Sequence, residues 1–138
     1  MSETVQIKAP WLASKDPEVP STLNYSTLSM CGRVEEMVRQ YPNYIAYEFM
    51  GKTTTYAEMW QKINACAKSL KAIGIREGDK VTICMPNAPQ TLCMFYAVNM
   101  VGAIANMVHP LSAESEIAFY LRDSGSVAAI TLDQFYNK

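Results

Sequence analysis

The chain is short of histidine, of clustered glycine and of surplus charge, and each shortage removes a class of function. Its one histidine, His109, and its four cysteines, Cys31, Cys66, Cys84 and Cys93, fall at irregular intervals with no Cys-x-x-Cys, so no zinc site of ordinary ligand spacing can be written. Three of those cysteines lie inside apolar periodic segments and read as reduced core residues. No Gly-x-Gly-x-x-Gly follows a strand and no Gly-x-Ser-x-Gly elbow is present. Basic and acidic residues number 12 and 13, for a formal net charge of -1. That balance gives no electrostatic footprint for nucleic acid or for an anionic membrane. The N-terminus lacks a basic stretch followed by an apolar one, so no secretory signal is read, and the Asn24-Tyr25-Ser26 sequon is a chance match. The most apolar window, residues 92–108, is interrupted by Asn99, Gly102 and Asn106, which suits a buried helix followed by a strand better than a membrane span. A cytoplasmic location is the default.

What is present is enough for one core: 138 residues, 49% hydrophobic and 18% charged. The organising stretch is Gly78 to Pro89. Residues 80–85 form a β-prone run with a Gly-Asp turn before it and Pro-Asn-Ala-Pro after it, and helical patterns lie on both sides. A strand between two helices implies a parallel α/β sheet, whose ligands collect beyond the carboxyl ends of the strands. Here that end is the Met85 to Pro89 loop.

Residues 1–29 are polar, carry Pro10, Pro17 and Pro20, and read as a peripheral lead-in, lying against the domain or partly disordered, to a domain over residues 30–138. Val34, Met37, Val38 and Tyr41 mark an amphipathic surface helix stopped by Pro42-Asn43. Residues 45–49 and 53–55 suit a hairpin about Met50-Gly51-Lys52. Gly51-Lys52-Thr53 imitates the end of a phosphate loop, but its first glycine would fall at Ala46 and no helix follows directly, so the turn reading wins.

Thr55 and Glu58 have capping-box spacing and start the clearest helix, with Met59, Ile63, Cys66, Leu70 and Ile73 as its apolar stripe and Gly74 as its terminator. Leu92, Phe95, Tyr96, Asn99 and Met100 mark another helix up to Gly102, residues 104–108 a second buried strand, Ser112 the cap of a further helix up to Gly125, and residues 127–131 a third strand. The expected fold is α/β. It is a partial doubly wound, flavodoxin-like parallel sheet with flanking helices, preceded by an amphipathic helix and a short hairpin.

Catalytic residues cannot be assembled from this order, and none is assigned. Two residues are candidates for substrate or cofactor binding because both lie just past strand ends: His109 and Asn87. Each has a plainer reading, His109 as a loop residue bonded to backbone and Asn87 as a helix N-cap.

Several pieces in register resemble a known family. Tyr41-Pro42-Asn43-Tyr44-Ile45-Ala46, Thr54-Thr55-Tyr56-Ala57-Glu58-Met59, Gly74-Ile75-Arg76-Glu77-Gly78-Asp79-Lys80-Val81, Met85-Pro86-Asn87-Ala88-Pro89, Gly102-Ala103 and Pro110-Leu111-Ser112-Ala113-Glu114-Ser115-Glu116-Ile117 follow the order seen near the N-terminus of AMP-forming acyl-CoA synthetases. The resemblance covers about residues 28 to 132, with Met59 where leucine is usual and His109 where many members carry asparagine. It implies that residues 30–138 are the first part of the N-terminal α/β domain of a longer ligase using a carboxylic acid, ATP, Mg2+ and CoA. The phosphate loop, the ribose-binding aspartate and the catalytic lysine of that family would lie beyond Lys138. On this reading the 138-residue chain is inactive alone, binds none of these cofactors tightly and self-associates through uncovered surface. Two other classes stay open: a free-standing flavodoxin-like nucleotide- or cofactor-binding domain, and a protein-interaction module.

Overall fold

The structure is a computed structural model and describes residues 9–135; residues 1–8 of the expected lead-in lie outside them. The described part of the lead-in is mostly exposed, with one 3-10 turn at Pro10–Ser14. Helix α1, Met30–Gln40, begins where the Ser29 hydroxyl accepts the Gly32 N–H at 3.1 Å. Strands β1, Ile45–Phe49, and β2, Lys52–Thr55, pair antiparallel. Their turn places both Met50 (φ 50) and Gly51 (φ 75) in the left-handed region, as type I′ two-residue hairpins require, so Gly51 serves the turn and Lys52 opens β2.

Helix α2, Tyr56–Ala72, starts on the expected capping box: the Glu58 amide donates to Thr55 Oγ1 at 3.3 Å and the Thr55 amide to Glu58 Oε2 at 2.8 Å. It ends at Gly74, whose N–H reaches the Lys71 carbonyl while the Ile75 N–H reaches that of Leu70, both at 3.0 Å. This pairing satisfies two of the carbonyls that every helix end leaves without a partner. The same two bonds recur at Gly102 and Gly125.

Strand β3, Lys80–Cys84, is the centre of a three-stranded sheet of order β4-β3-β5, parallel throughout, with β4 at Ile104–Val108 and β5 at Ala128–Thr131. Helix α3, Pro89–Val101, carries the chain from β3 to β4. Helix α4, Glu114–Ser124, carries it back across to β5. The pleat of β3 sorts its side chains. Val81, Ile83 and Met85 enter a core with Ala67, Leu70, Ala97, Val98 and Val101 of α2 and α3. Thr82 and Cys84 turn to the other face, under Ile117 and Leu121 of α4. Complete burial of Val81 and Ile83 contributes about 1.5–3 kcal/mol each.

The structure corrects several sequence expectations. Ile73 leaves the α2 stripe: it is 72% exposed, because the helix stops at Ala72, and Ala67 takes its place in the core. The buried residues of α3 are Thr91, Cys93, Ala97, Val98 and Val101 instead of the stripe from Leu92 to Met100, since an almost uniformly apolar helix packs on α2 and the sheet together. Strand β4 is not buried as a whole. It lies at the sheet edge with Ile104 52% and Met107 50% exposed. Ser112 does not cap α4. Ala113 holds that position, and although it has no side-chain acceptor, Glu116 Oε2 takes the Ala113 N–H at 3.0 Å.

Candidate functional site

The chain crosses from β3 to β4 and then from β4 back past β3 to β5, so the loops beyond the carboxyl ends of β3 and β4 lead in opposite directions and leave space between them. A hollow of about 370 Å3 opens there, lined by Met85, Pro86 and Asn87 after β3, His109 and Pro110 after β4, and Phe135 after β5. The structure therefore brings together the two candidate residues, which stand 22 positions apart in the chain.

Asn87 is not the helix cap. Ala88 occupies that position, with φ -139 and ψ 160, and Pro89 is the first helical residue. The cause is local: proline needs no partner for a missing N–H and drives the residue before it into extended backbone, so the helix starts two residues after Asn87. The loop is instead folded onto the helix by buried Thr91, whose hydroxyl donates to the Pro86 carbonyl at 2.6 Å. Asn87 is exposed and also lines a second hollow, of about 360 Å3, with Tyr47 and Phe49 of the hairpin and Met107 of β4. Its amide thus sits on the ridge between two concave surfaces, with two donors and an acceptor to offer.

His109 is exposed, and its Nδ1 accepts the Leu111 N–H at 3.3 Å while its carbonyl accepts the Ser112 N–H at 3.1 Å. The backbone-bonded reading holds for Nδ1. Acceptance at Nδ1 places the proton of the neutral ring on Nε2, so the ring keeps a donor for a ligand. Sequence reasoning missed Thr91, Met107 and Phe135 as parts of this region. Thr91 carries no motif, and Phe135 reaches the hollow only because β5 crosses to the far side of β3.

On the opposite sheet face a chain of polar side chains runs from Asn106 through Thr82 and Ser126 to Ser124, with contacts of 2.9, 2.7 and 2.8 Å. Thr82 is fully buried and fully bonded, which ties β4, β3 and the start of β5 in register. Elsewhere the carboxyl of Glu58 is held below the usual glutamate range by its bonds to the Thr55 backbone and hydroxyl. Among the described residues no group of three or more His, Cys, Asp and Glu side chains is placed to hold a metal ion, and no helix is long and apolar enough to cross a membrane.

The sequence profile of the family described as AMP-binding enzyme matches residues 34–138. The chain belongs to that family. This AMP-binding enzyme segment is 30% identical over 134 residues to the long-chain-fatty-acid–CoA ligase of Bacillus subtilis, covering 97% of the chain and 24% of that protein. It superposes with a TM-score of 0.68 and 35% identity on the inhibitor-bound N-terminal domain of FACL13 from Mycobacterium tuberculosis, covering 71% of the chain and 25% of that structure. With the N-terminal subdomain of Klebsiella oxytoca NpsA the TM-score is 0.72 at 25% identity, over 75% of the chain and 27% of the other. The AMP-binding enzyme segment thus spans about a quarter of the length of the relatives it matches.

Proposed function

We propose that the chain is the first part of the N-terminal α/β domain, over residues 30–138, of a cytoplasmic acid–CoA ligase, with residues 1–29 as a peripheral lead-in. The observation that carries this reading is the family match over residues 34–138, which runs through all three strands of the sheet and both loops of the hollow. In the proposed reaction a substrate carboxylate oxygen bonds to the α-phosphorus of ATP and pyrophosphate leaves. The CoA sulfur then bonds to the acyl carbon and AMP leaves. Mg2+ would supply positive charge to the phosphates in the first step.

The sequence holds no phosphate loop, and among the described residues no group of three or more His, Cys, Asp and Glu side chains is placed to hold a metal ion, so no step is routed through them. The part of this chain is to form the scaffold and one concave wall. The Asn87 amide and the His109 Nε2–H are its candidate contacts to substrate or cofactor.

Exchange of labelled pyrophosphate into ATP, assayed with a panel of carboxylic acids, tests the reading. Residues 1–138 alone should stay at background, whereas a longer ligase that contains them should show exchange. Clear exchange by the chain alone would overturn the division of labour proposed here. In the longer ligase, replacing Asn87 or His109 by alanine should raise KM for one substrate. Unchanged KM for acid, ATP and CoA in both variants would remove these residues as contacts. Saturable binding of ATP, FMN or CoA by the chain alone would favour a free-standing binding domain.

A further inference from the structure

In the loop from β3 to α3 one residue, Asn87, stands exposed among neighbours that are held down: Met85 is buried in the core, and Pro86, Ala88 and Pro89 are half-buried. Few of the backbone angles here are soft. The rings of Pro86 and Pro89 fix φ at both ends, and Pro89 confines Ala88 to the extended conformation it has, φ -139 and ψ 160. What remains is ψ of Pro86 and the two angles of Asn87 itself. The peptide group that joins these residues is a rigid plane carrying the Pro86 oxygen and the Asn87 nitrogen together. A partner that holds that oxygen therefore sets the direction in which Asn87 leaves the loop. Thr91, the third residue of α3, is that partner: its hydroxyl donates to the Pro86 carbonyl at 2.6 Å, and the residue is 6% exposed. A helical threonine ordinarily bonds the carbonyl three or four positions before it, whereas Thr91 reaches five back, to a carbonyl outside the helix. Its branched side chain is stiff at χ1, so the donor is placed as firmly as the helix that carries it.

We propose that Thr91 is a positioning residue, which holds the Asn87 carboxamide on the ridge between the two hollows in the orientation that substrate or cofactor meets. The proposal rests on the reading of Asn87 as a contact given above, and adds the residue that makes the contact ready before anything binds. A loop ordered in advance loses less conformational freedom on binding, so the same contact yields a higher affinity. Thr91 acts through Asn87, because its own hydroxyl proton is engaged by Pro86.

The test is a double-mutant cycle in a longer ligase that contains these residues, with KM measured for acid, ATP and CoA. Thr91→Val keeps the shape of threonine and removes the donor. It should raise KM about threefold to tenfold, the worth of one hydrogen bond, for the same substrate whose KM rises in Asn87→Ala, and by more than any fall in kcat. Thr91→Ser keeps the hydroxyl and should return KM close to the wild-type value. In the Asn87→Ala background Thr91→Val should raise KM no further, since nothing is left for it to position. Thr91→Ala carries the same expectations as Thr91→Val, so the result does not hang on whether the valine variant folds. The proposal is overturned if the threonine variants leave KM unchanged while Asn87→Ala raises it, or if their effect persists in full without Asn87, as that of a merely structural bond would. Unchanged KM in Asn87→Ala itself would instead remove the contact, and the positioning role with it, so the two failures read differently.

Discussion

Ile63→Ala is the perturbation whose cost follows most directly from the packing. Ile63 is 0% exposed and joins Met59 of its own helix to Cys93 of α3. Truncation removes three carbons from an apolar site, a transfer loss of about 2.4 kcal/mol at ~0.8 kcal/mol per carbon. The space left is at most roughly 75 Å3, which at about 24 cal/mol per Å3 adds up to about 1.8 kcal/mol if the helices do not close in. The expected loss is therefore about 2.5–4 kcal/mol. Ile73→Ala is the matched control: it has the same chemistry at the end of the same helix but is 72% exposed, so the change should stay within about 0.5 kcal/mol. His109→Ala, in an exposed loop, should also cost much less than Ile63→Ala. Urea unfolding followed through Trp60 of α2, at protein concentrations where the midpoint no longer shifts, measures all three. If Ile73→Ala cost as much as Ile63→Ala, or His109→Ala cost more, the assignment of the buried face of α2 would be wrong.

Glu58 binds its proton less readily in the folded chain, so its contribution is present above the unfolded carboxyl range and is lost as pH falls through the depressed folded value. The stability gap between wild type and Glu58→Gln should accordingly shrink on acidification, and a gap independent of pH would remove the capping role. Gly102 has φ 85, and a Cβ there would meet Glu77 Cγ at 3.0 Å, so Gly102→Ala should destabilise by about 1–2 kcal/mol in the same urea assay; a neutral result would contradict the backbone geometry. Ile104 and Met107 lie exposed at a sheet edge. Self-association at micromolar concentration should follow, read by light scattering coupled to gel filtration. A clean monomer there would show that the surface is stable as it stands.

Where a feature depends on neighbours in sequence, the sequence mostly displayed it, the exceptions being the caps of α3 and α4, which sit at Ala88 and Ala113 and not at Asn87 and Ser112. Thr55 and Glu58 meet because capping is a matter of three residues, and Gly74, Gly102 and Gly125 end helices because only the backbone of the last turn is involved. The hairpin residues and the order of strands and helices were legible for the same reason. The other errors arose where the answer lay in tertiary cover. Ile73 continues the spacing of Met59 and Ile63, but nothing stands opposite it once the helix has ended. Residues 104–108 are as apolar as an interior strand, yet their place at an edge follows from the crossover to β5. At the candidate site the strand-end location of Asn87 and His109 could be read. Their convergence on one hollow, and the part of Phe135 in it, depends on the sheet order, which periodicity does not encode.

The central place of β3 bears on how the chain reaches this state. Lys80 pairs with Ile104 and Val81 with Ala128, so the loop closed by the second partner is about twice as long as that closed by the first. A doubling costs only about 0.6 kcal/mol in closure entropy, too little to impose an order of assembly. Emergence from the ribosome imposes one, because β4 is complete before α4 and β5 have been made, and α2 and α3 already supply most of the core that covers β3. The carbonyls at the entry to β3 divide between its neighbours, Asp79 just before it receiving the Ile104 N–H at 2.7 Å and Lys80 the N–H of Val127, just before β5, at 2.9 Å. In hydrogen exchange under native conditions, amides that bridge to β5 should open before those that bridge to β4, as the last-docked strand leaves first.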